Sequence, residues 1–494
     1  MRIDRVVWGL MLLAAGALVP AWLTLDQPIV ENYVGRQVPT AMVARHLARG
    51  GSFWRPERDT GPFPSWFLVE PPVYAGVVGL IARGTGVSVE VAGRLVSMFG
   101  AMGAAAGLGS LVGRRHGRRE GWLAAAVFLW LPVTLRYGRA VQPDVMALGL
   151  VVLGLNAWDR WVWGGRARDA VLGWLGVATG IAARALLVFV WLPVALLLVG
   201  QRTMRRRPER VAWVLLTLAG PALAWYLWAW RLGSSTPAVR ATGADWLAAL
   251  GPASLSRWET WRWIGWFGLI RAFTPWAWVM VGACLVRGVL APIWVAWLMG
   301  ALVTLGFVSG KLHHEYYWLM AAPAVAAGVA RWVGREAEAA AIEGRWPWRA
   351  VGSVGLQLAL SVVLAWSTWR TPAEWSRLKD VRAAVAEAPG EALWIGREAV
   401  LYYADRRGMR LENEPEAVRR ALEEWGVEIS QEGATPRVAL SWYHTLGAWG
   451  FAEVGDPAAG RIVTEWARAA RAAARRILVD EPGLLVLELE DQRP

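Results

Sequence analysis

Long runs of apolar residues recur along this chain, separated by short charged clusters. Val6–Leu25, Val211–Trp230, Gly288–Ser309 and Ala350–Trp369 contain no charged residue, and only Arg94 interrupts Val91–Gly113. Each run is close to the length that a helix needs to cross ~30 Å of hydrocarbon. Further apolar blocks lie at 121–136, 145–162, 170–200, 273–286 and 317–332. The pattern predicts a mainly α protein, a polytopic transmembrane helical bundle of about eleven spans.

The basic clusters orient the spans, because lysine and arginine accumulate in cytoplasmic loops. Met1–Arg5 places the N-terminus inside, and no convincing small-x-small cleavage site near Pro20–Thr24 argues for removal of the first span. The next basic cluster is Gly113–Glu120, so residues 26–90 form a long outer loop. Within it, Gln37–Arg49 and Pro72–Ala82 are helix-like, and the second is expected to lie flat on the membrane surface. The block 170–200 is flanked on both sides by basic clusters and carries Arg184 near its middle. That pattern predicts a hairpin of two short spans with Arg184 near the outer apex. A Trp- and Arg-rich stretch within 257–271 reads as interfacial.

Hydropathy changes after residue 370. The segment 371–494 has ordinary charge density and no block long enough to span. Glu374–Ala388, Glu414–Trp425 and Arg461–Arg475 read as helices; Ala392–Gly396, Arg437–Trp442, Ile477–Val479 and Leu484–Leu489 read as strands. We therefore expect residues 1–370 to form the membrane module and 371–494 a small extracytoplasmic α/β domain.

Composition sharpens this picture. The chain is 56% hydrophobic and 18% charged, against about 25% charged in soluble domains. The net charge of +13 suggests nucleic acid, yet the basic residues sit between apolar blocks rather than along a soluble face, which excludes that class. The single cysteine, Cys284, lies in an apolar block and reads as a small packed residue. The 36 tryptophans read chiefly as lipid-facing or interfacial. Gly103 and Gly107 form a G-x-x-x-G, a pattern of close helix packing.

Candidate chemistry gathers on one face. The loop after the first span offers Asp26, Glu31, Arg36, Gln37, Asp59 and Glu70, and Pro71–Pro72 fix the backbone beside Glu70. The tip at 136–144 offers Arg136, Arg139 and Asp144, with the two arginines close enough in sequence to pair with the acid. The tip at 311–317 offers Lys311, His313, His314, Glu315, Tyr316 and Tyr317, and Arg94 and Arg184 lie near the same face. Ionisable groups at membrane depth are costly and mark a site. Glu70, Asp59, Glu31 and Asp144 are candidates to act on an acceptor hydroxyl. Asp59 is equally a turn residue, and Asp144 also suits a helix N-terminus. Arg36, Gln37, Arg94, Arg139, Arg184, Lys311, His313, His314, Tyr316 and Tyr317 are candidates to hold a phosphate or sugar. Adjacent histidines cannot both face one point, so a paired histidine metal site is not expected. No phosphate loop, dinucleotide fingerprint or nucleophile elbow is present.

These residues resemble the GT-C superfamily of membrane glycosyltransferases, near the protein O-mannosyltransferases and the aminoarabinose transferases. The likeness rests on Arg36–Gly51, on Val69–Tyr74 followed by Val91–Gly100, on Leu135–Leu148, on Lys311–Ala326 with its H-x-Y-Y pattern, and on Leu401–Gly408. The resemblance implies transfer of a hexosyl or pentosyl group from a polyprenyl-phosphate sugar to a glycan, lipid or protein acceptor at the outer face of the cytoplasmic membrane. It also implies inversion at the anomeric carbon and an acid in the first outer loop. Two departures matter. Arg36–Gln37 stand where many members carry Asp-Glu, and Glu70 stands where many carry a lysine before the double proline. Arg94 or Arg184 then becomes the substitute for that lysine. No cofactor is called for beyond a divalent cation held by an acid and the phosphate. A transporter or flippase, with inverted repeats and broken helices at the midplane, and a non-catalytic envelope scaffold are the rival readings.

Overall fold

The computed structural model of the chain describes residues 5–29, 34–61, 64–233, 247–371, 379, 381–384, 394–396, 398–410, 437–441, 474–481 and 484–489. Its first apolar run forms α1 (Arg5–Gly16) and α2 (Val19–Leu23). The long loop expected at 26–90 contains α3 (Val34–Ala48) and α4 (Val73–Thr85), the latter entered through Pro72 and closed by Gly86 at φ 74°. Both sit where the hydrophobic pattern puts them.

The centre of the bundle is α5 (Val89–His116), capped by Ser88, whose Oγ accepts from the Val91 N–H at 3.3 Å. Gly117, at φ 101°, turns the chain into α6 (Arg118–Trp130), and Pro132 opens the short α7 (Pro132–Tyr137). Next come α8 (Asp144–Gly164) and α9 (Ala167–Ala183). Helix α5 packs on α6 and α8, and α8 packs on α9. Glycine makes these approaches close. A Cβ at Gly107 would lie 3.0 Å from Val152 and one at Gly103 3.1 Å from Leu153, so the G-x-x-x-G of α5 does face α8.

Helix α9 stops at Arg184, whose backbone is extended, and a 3-10 turn over Ala185–Val190 leads into α10 (Trp191–Gly200). The break thus falls on the residue expected at the hairpin apex. Beyond a short α11 (Arg202–Arg205) come α12 (Pro208–Gly233), α13 (Trp258–Trp263) and a π-helical stretch, Ile264–Ala272. The chain then bends by 92° into α14 (Pro275–Val286). Thr274 makes that corner at φ 75°; its hydroxyl donates to Gln357 Oε1 at 2.6 Å and accepts from the Ala277 N–H at 3.2 Å. The bundle closes with α15 (Pro292–Phe307), α16 (Ala322–Ile342) and α17 (Trp348–Ala365).

Among the described residues five helical stretches are long and apolar enough to cross a membrane, or six with the bent pair counted as one. The other expected spans fall on helices that are short or interrupted, as at Leu131–Pro132 and Arg184. A hydropathy run measures apolar length and is blind to such breaks.

Tryptophan is used more broadly than expected. Trp163 and Trp230 are exposed, but Trp294 and Trp297 are fully buried, the latter donating to Met320 O at 2.8 Å. Both are core; the Trp297 N–H finds an acceptor, whereas Trp294 Nε1 has no hydrogen-bond partner among the described residues. Cys284 is buried and bonds through sulfur to Gly328 O.

In the tail, β1 (Trp394–Gly396) pairs in parallel with β2 (Gly408–Arg410), and α18 (Val381–Ala384) precedes them while α19 (Glu398–Ala404) connects them. The strands β3 (Arg437–Ser441), β4 (Ala474–Glu481) and β5 (Leu484–Leu489) form an antiparallel sheet in the order β3-β5-β4. All four strand-like segments contain strands. Of the expected helices, Glu414–Trp425 and most of Glu374–Ala388 and Arg461–Arg475 lie outside the described residues; Ala474–Arg475 already belongs to β4.

Candidate active site

Three chain segments distant in sequence bring their ionisable groups together. Glu70 comes from the outer loop just before α4, Asp144 from the first turn of α8, and Arg184 from the break after α9. All are buried. The Arg184 guanidinium stands between the two carboxylates, with Nε 2.8 Å from Asp144 Oδ1 and Nη1 3.4 Å from Glu70 Oε2. Arg36, on α3, pairs with the other Glu70 oxygen. The Arg184 guanidinium also lies 5.5 Å and 5.1 Å from the ring centres of Tyr316 and Tyr317, within cation–π range. So Glu70, Asp144, Arg36, Arg184, Tyr316 and Tyr317 form one buried cluster. The partner of Asp144 is Arg184, not Arg136 or Arg139 as their spacing suggested.

The two acids differ in what remains free. Both Glu70 oxygens face guanidinium groups. Asp144 Oδ2 is buried without a hydrogen-bond partner among the described residues, and so is Arg184 Nη2.

His314 completes one wall. Its ring stacks near Tyr316 at 5.7 Å and lies 3.8 Å from the His313 ring, which in turn lies 4.9 Å from Trp263. The adjacent imidazoles thus pack on each other, and each has a further aromatic partner. Burial, together with the charges of His313, Lys311, Arg184 and Arg36, pushes His314 down to about 2. It is a neutral imidazole, able to donate one hydrogen bond and accept another. Lys311 lies two residues before His313 and is partly buried.

The remaining candidates have structural partners. Arg94 donates to the carbonyls of Leu25 at 2.8 Å and Pro28 at 3.1 Å, and also to Gln27. Arg139 donates to Thr24 O at 2.6 Å and Gln27 Oε1 at 2.9 Å. These two arginines clamp the turn after α2. Gln37 Oε1 accepts from the Val141 N–H at 2.8 Å, tying α3 to the loop before Asp144. Asp59 pairs with Arg45 at 2.6 Å, away from Glu70. Glu31 lies outside the described residues. Among the described residues no group of three or more His, Cys, Asp or Glu is placed to hold a metal ion.

Sequence reasoning passed over two further networks. Glu315 pairs with Arg136 and, at 3.3 Å, with Arg271, so a buried acid ties α7 and the π-helical stretch behind Tyr316. In the tail, Asp405 pairs with Arg45, Arg49 and Arg382, and Tyr403 accepts from the Ile29 N–H at 2.7 Å. Burial would raise Asp405, but the hydrogen bond from Arg49 and the three arginine charges hold it below the ordinary carboxylate value. The resemblance of Leu401–Gly408 was the one sequence signal for this contact.

No protein-family model and no curated protein sequence matches the chain. Solved structures do. ArnT from Cupriavidus metallidurans bound to undecaprenyl phosphate matches with TM-score 0.63 at 15% identity, over 97% of this chain and 97% of that one. The chain shares the fold of that structure. A second neighbour is the archaeal oligosaccharyltransferase AglB from Archaeoglobus fulgidus in complex with an inhibitory peptide and a dolichol-phosphate. It matches with TM-score 0.52 at 12% identity, over 87% of this chain and 69% of that one. The arabinofuranosyltransferase AftD from Mycobacteria matches with TM-score 0.50 at 16% identity, over 94% of this chain and 37% of AftD.

Proposed function

We propose that this chain is a membrane glycosyltransferase. It moves a hexosyl or pentosyl group from a polyprenyl-phosphate donor to a glycan, lipid or protein acceptor at the outer face of the cytoplasmic membrane. In this reading residues 1–370 form the catalytic membrane module of about eleven spans, and 371–494 an extracytoplasmic α/β domain. The observation that carries the reading is the buried cluster of Glu70, Asp144, Arg36 and Arg184 against Tyr316 and Tyr317. The undecaprenyl phosphate of the ArnT structure and the dolichol-phosphate of the AglB structure support the donor class.

The cluster suits an inverting displacement. The acceptor oxygen forms a bond to the anomeric carbon as the bond from that carbon to the phosphate oxygen breaks. The electron pair leaves with the lipid phosphate. Lys311 and the free edge of Arg184 stabilise the charge that develops there. The acceptor proton passes to Asp144 Oδ2, the carboxylate oxygen not already occupied. Glu70, held by two guanidiniums, positions Arg36 and Arg184. The neutral His314 and the two tyrosines offer hydrogen bonds to the sugar.

A divalent cation has no place between the carboxylates while Arg184 bridges them. It would bind only with the donor phosphate as a ligand, and Asp144 Oδ2 is the protein oxygen open to it.

The test is transfer by the purified protein in lipid nanodiscs, supplied with radiolabelled polyprenyl-phosphate sugars and an outer-membrane or cell-wall acceptor fraction. Release of free polyprenyl phosphate in step with labelled acceptor is the expected result. Transport of the lipid-linked sugar across sealed vesicles without cleavage would favour the flippase reading instead, and neither activity would leave the scaffold.

A further inference from the structure

At the end of the bundle opposite the proposed active site lies a cavity of about 520 Å³ between α1, α5 and α6. That volume falls in the ~300–1,000 Å³ range of small-ligand sites. Its walls are apolar: Ala14 and Leu18 on the first helical run, Ala106 on α5, Trp122 and Leu129 on α6. Its mouth is lined by Arg114 and Arg118.

The first helix packs on α6, and the cavity lies beside that contact. Trp130 donates to Leu13 O at 2.7 Å and fixes the helix there, while Trp8 and Leu12 remain exposed. Below that pin, α5 and α6 run close together through Gly109 and Gly121 and leave a wedge beside the first helix. From Arg118 to Leu129 the wedge follows twelve residues of α6, a rise of about 17 Å. One leaflet of a ~30 Å hydrocarbon core is about 15 Å deep.

Charge at the mouth has one sign. Arg114 and Arg115 share the single carboxylate of Asp159, leaving a net positive charge, and Arg114 is further fixed by Asn156 and Ser110, each at 2.6 Å. Glu120 is taken by Arg331 at 2.7 Å. Arg118 is exposed and makes no hydrogen bond or ion pair among the described residues.

We infer that this wedge is a binding site for one anionic phospholipid of the leaflet next to the Gly113–Glu120 loop, with its acyl chain between α1, α5 and α6 and its headgroup phosphate on Arg118. A zwitterionic lipid fits the walls equally and also carries a phosphate, but its own ammonium offsets the charge that Arg118 would answer. The inference does not depend on sugar transfer; only the name of the leaflet, cytoplasmic, rests on the proposed orientation.

Native mass spectrometry of the full chain released from detergent tests it, titrated with phosphatidylglycerol and with phosphatidylcholine of the same chains. The wild type is expected to retain one phosphatidylglycerol in preference to phosphatidylcholine. Arg118→Ala should reduce that preference about fivefold, the worth of one basic residue at a charged lipid surface. Ala106→Trp should fill the wedge and weaken both lipids alike. Both positions are exposed, so the fold tolerates the changes, and matched thermal melts verify this; Met102→Trp serves as a second filling variant. Equal retention of the two lipids, an unchanged preference in Arg118→Ala, or displacement of phosphatidylglycerol by polyprenyl phosphate would each overturn the inference.

Discussion

Asp144 and Glu70 share one guanidinium, and the oxygens left over separate their roles. Glu70 is spent on Arg36 and Arg184, whereas Asp144 keeps Oδ2 free. Removing the charge of Asp144 therefore strikes proton transfer. Asp144→Asn should lower kcat by about 10²–10⁴ with KM for the lipid-linked sugar little changed, measured in the nanodisc assay. Glu70→Gln should behave differently. It takes the carboxylate from Arg36 and leaves Arg184 with Asp144 alone, and breaking a buried pair costs about 3–5 kcal/mol, so the melting temperature should fall and KM should rise. Full transfer by both variants would refute the assignment of the site. His314 supplies a prediction in pH. Its folded value is pushed down to about 2, against about 6.5 in the unfolded chain. Between those values the unfolded state binds the extra proton, so stability falls as the pH drops below about 6.5. By pH 5 the loss is about 2 kcal/mol. His314→Asn should flatten the acid side of the melting-temperature profile; an identical profile in the variant would show that His314 is not held neutral.

Helix α9 ends at Arg184, and this single break joins three elements. An extended residue there lets the side chain reach back to the outer loop and the start of α8 at once. Lysine carries the charge but cannot bond two carboxylates in fixed directions. Arg184→Lys should cost at least one charged hydrogen bond, about 1.5–3 kcal/mol. That corresponds to a loss of about 10–100-fold in kcat/KM. Retention of wild-type kcat/KM would separate Arg184 from the chemistry. The sequence signalled this residue because an arginine inside an apolar block must be answered by something. It signalled Glu70 through the double proline and Asp144 through its place at a helix start. It was silent on which residues pair, since Arg136 is nearer to Asp144 in the chain than Arg184 yet binds Glu315 instead. Pairing is a property of how α7, α8 and α9 pack, and no local pattern encodes that. Arg94 and Arg139 mislead for the same reason. Their charge marks them as phosphate ligands, but the packed structure spends both on backbone carbonyls of the turn after α2. A buried carbonyl without a partner is costly, so a structural arginine is as well motivated as a functional one.

At the scale of the whole molecule, ion pairs gather at two opposite ends. One end carries Arg36, Glu70, Asp144, Arg184 and the docked tail contacts of Tyr403 and Asp405. The other carries Arg114 and Arg115 with Asp159, Arg160 with Asp169, and Glu120 with Arg331. The positive-inside rule assigns the second end to the cytoplasm, because it holds the Gly113–Glu120 loop. On that proposed orientation the tail shares the outer face with the cluster, as α19 is bonded to α3 and to the turn at Ile29. Compartment-specific reporters decide between this arrangement and its inverse. Alkaline phosphatase fused after Pro494 should be active and green fluorescent protein at the same point dark, while fusions after Gly117 should show the reverse. A fluorescent Pro494 fusion would place the tail inside. Because the tail contacts tie it to the same end as Glu70 and Asp144, that one result would also move the cluster to the cytoplasmic side, where an extracytoplasmic acceptor never arrives.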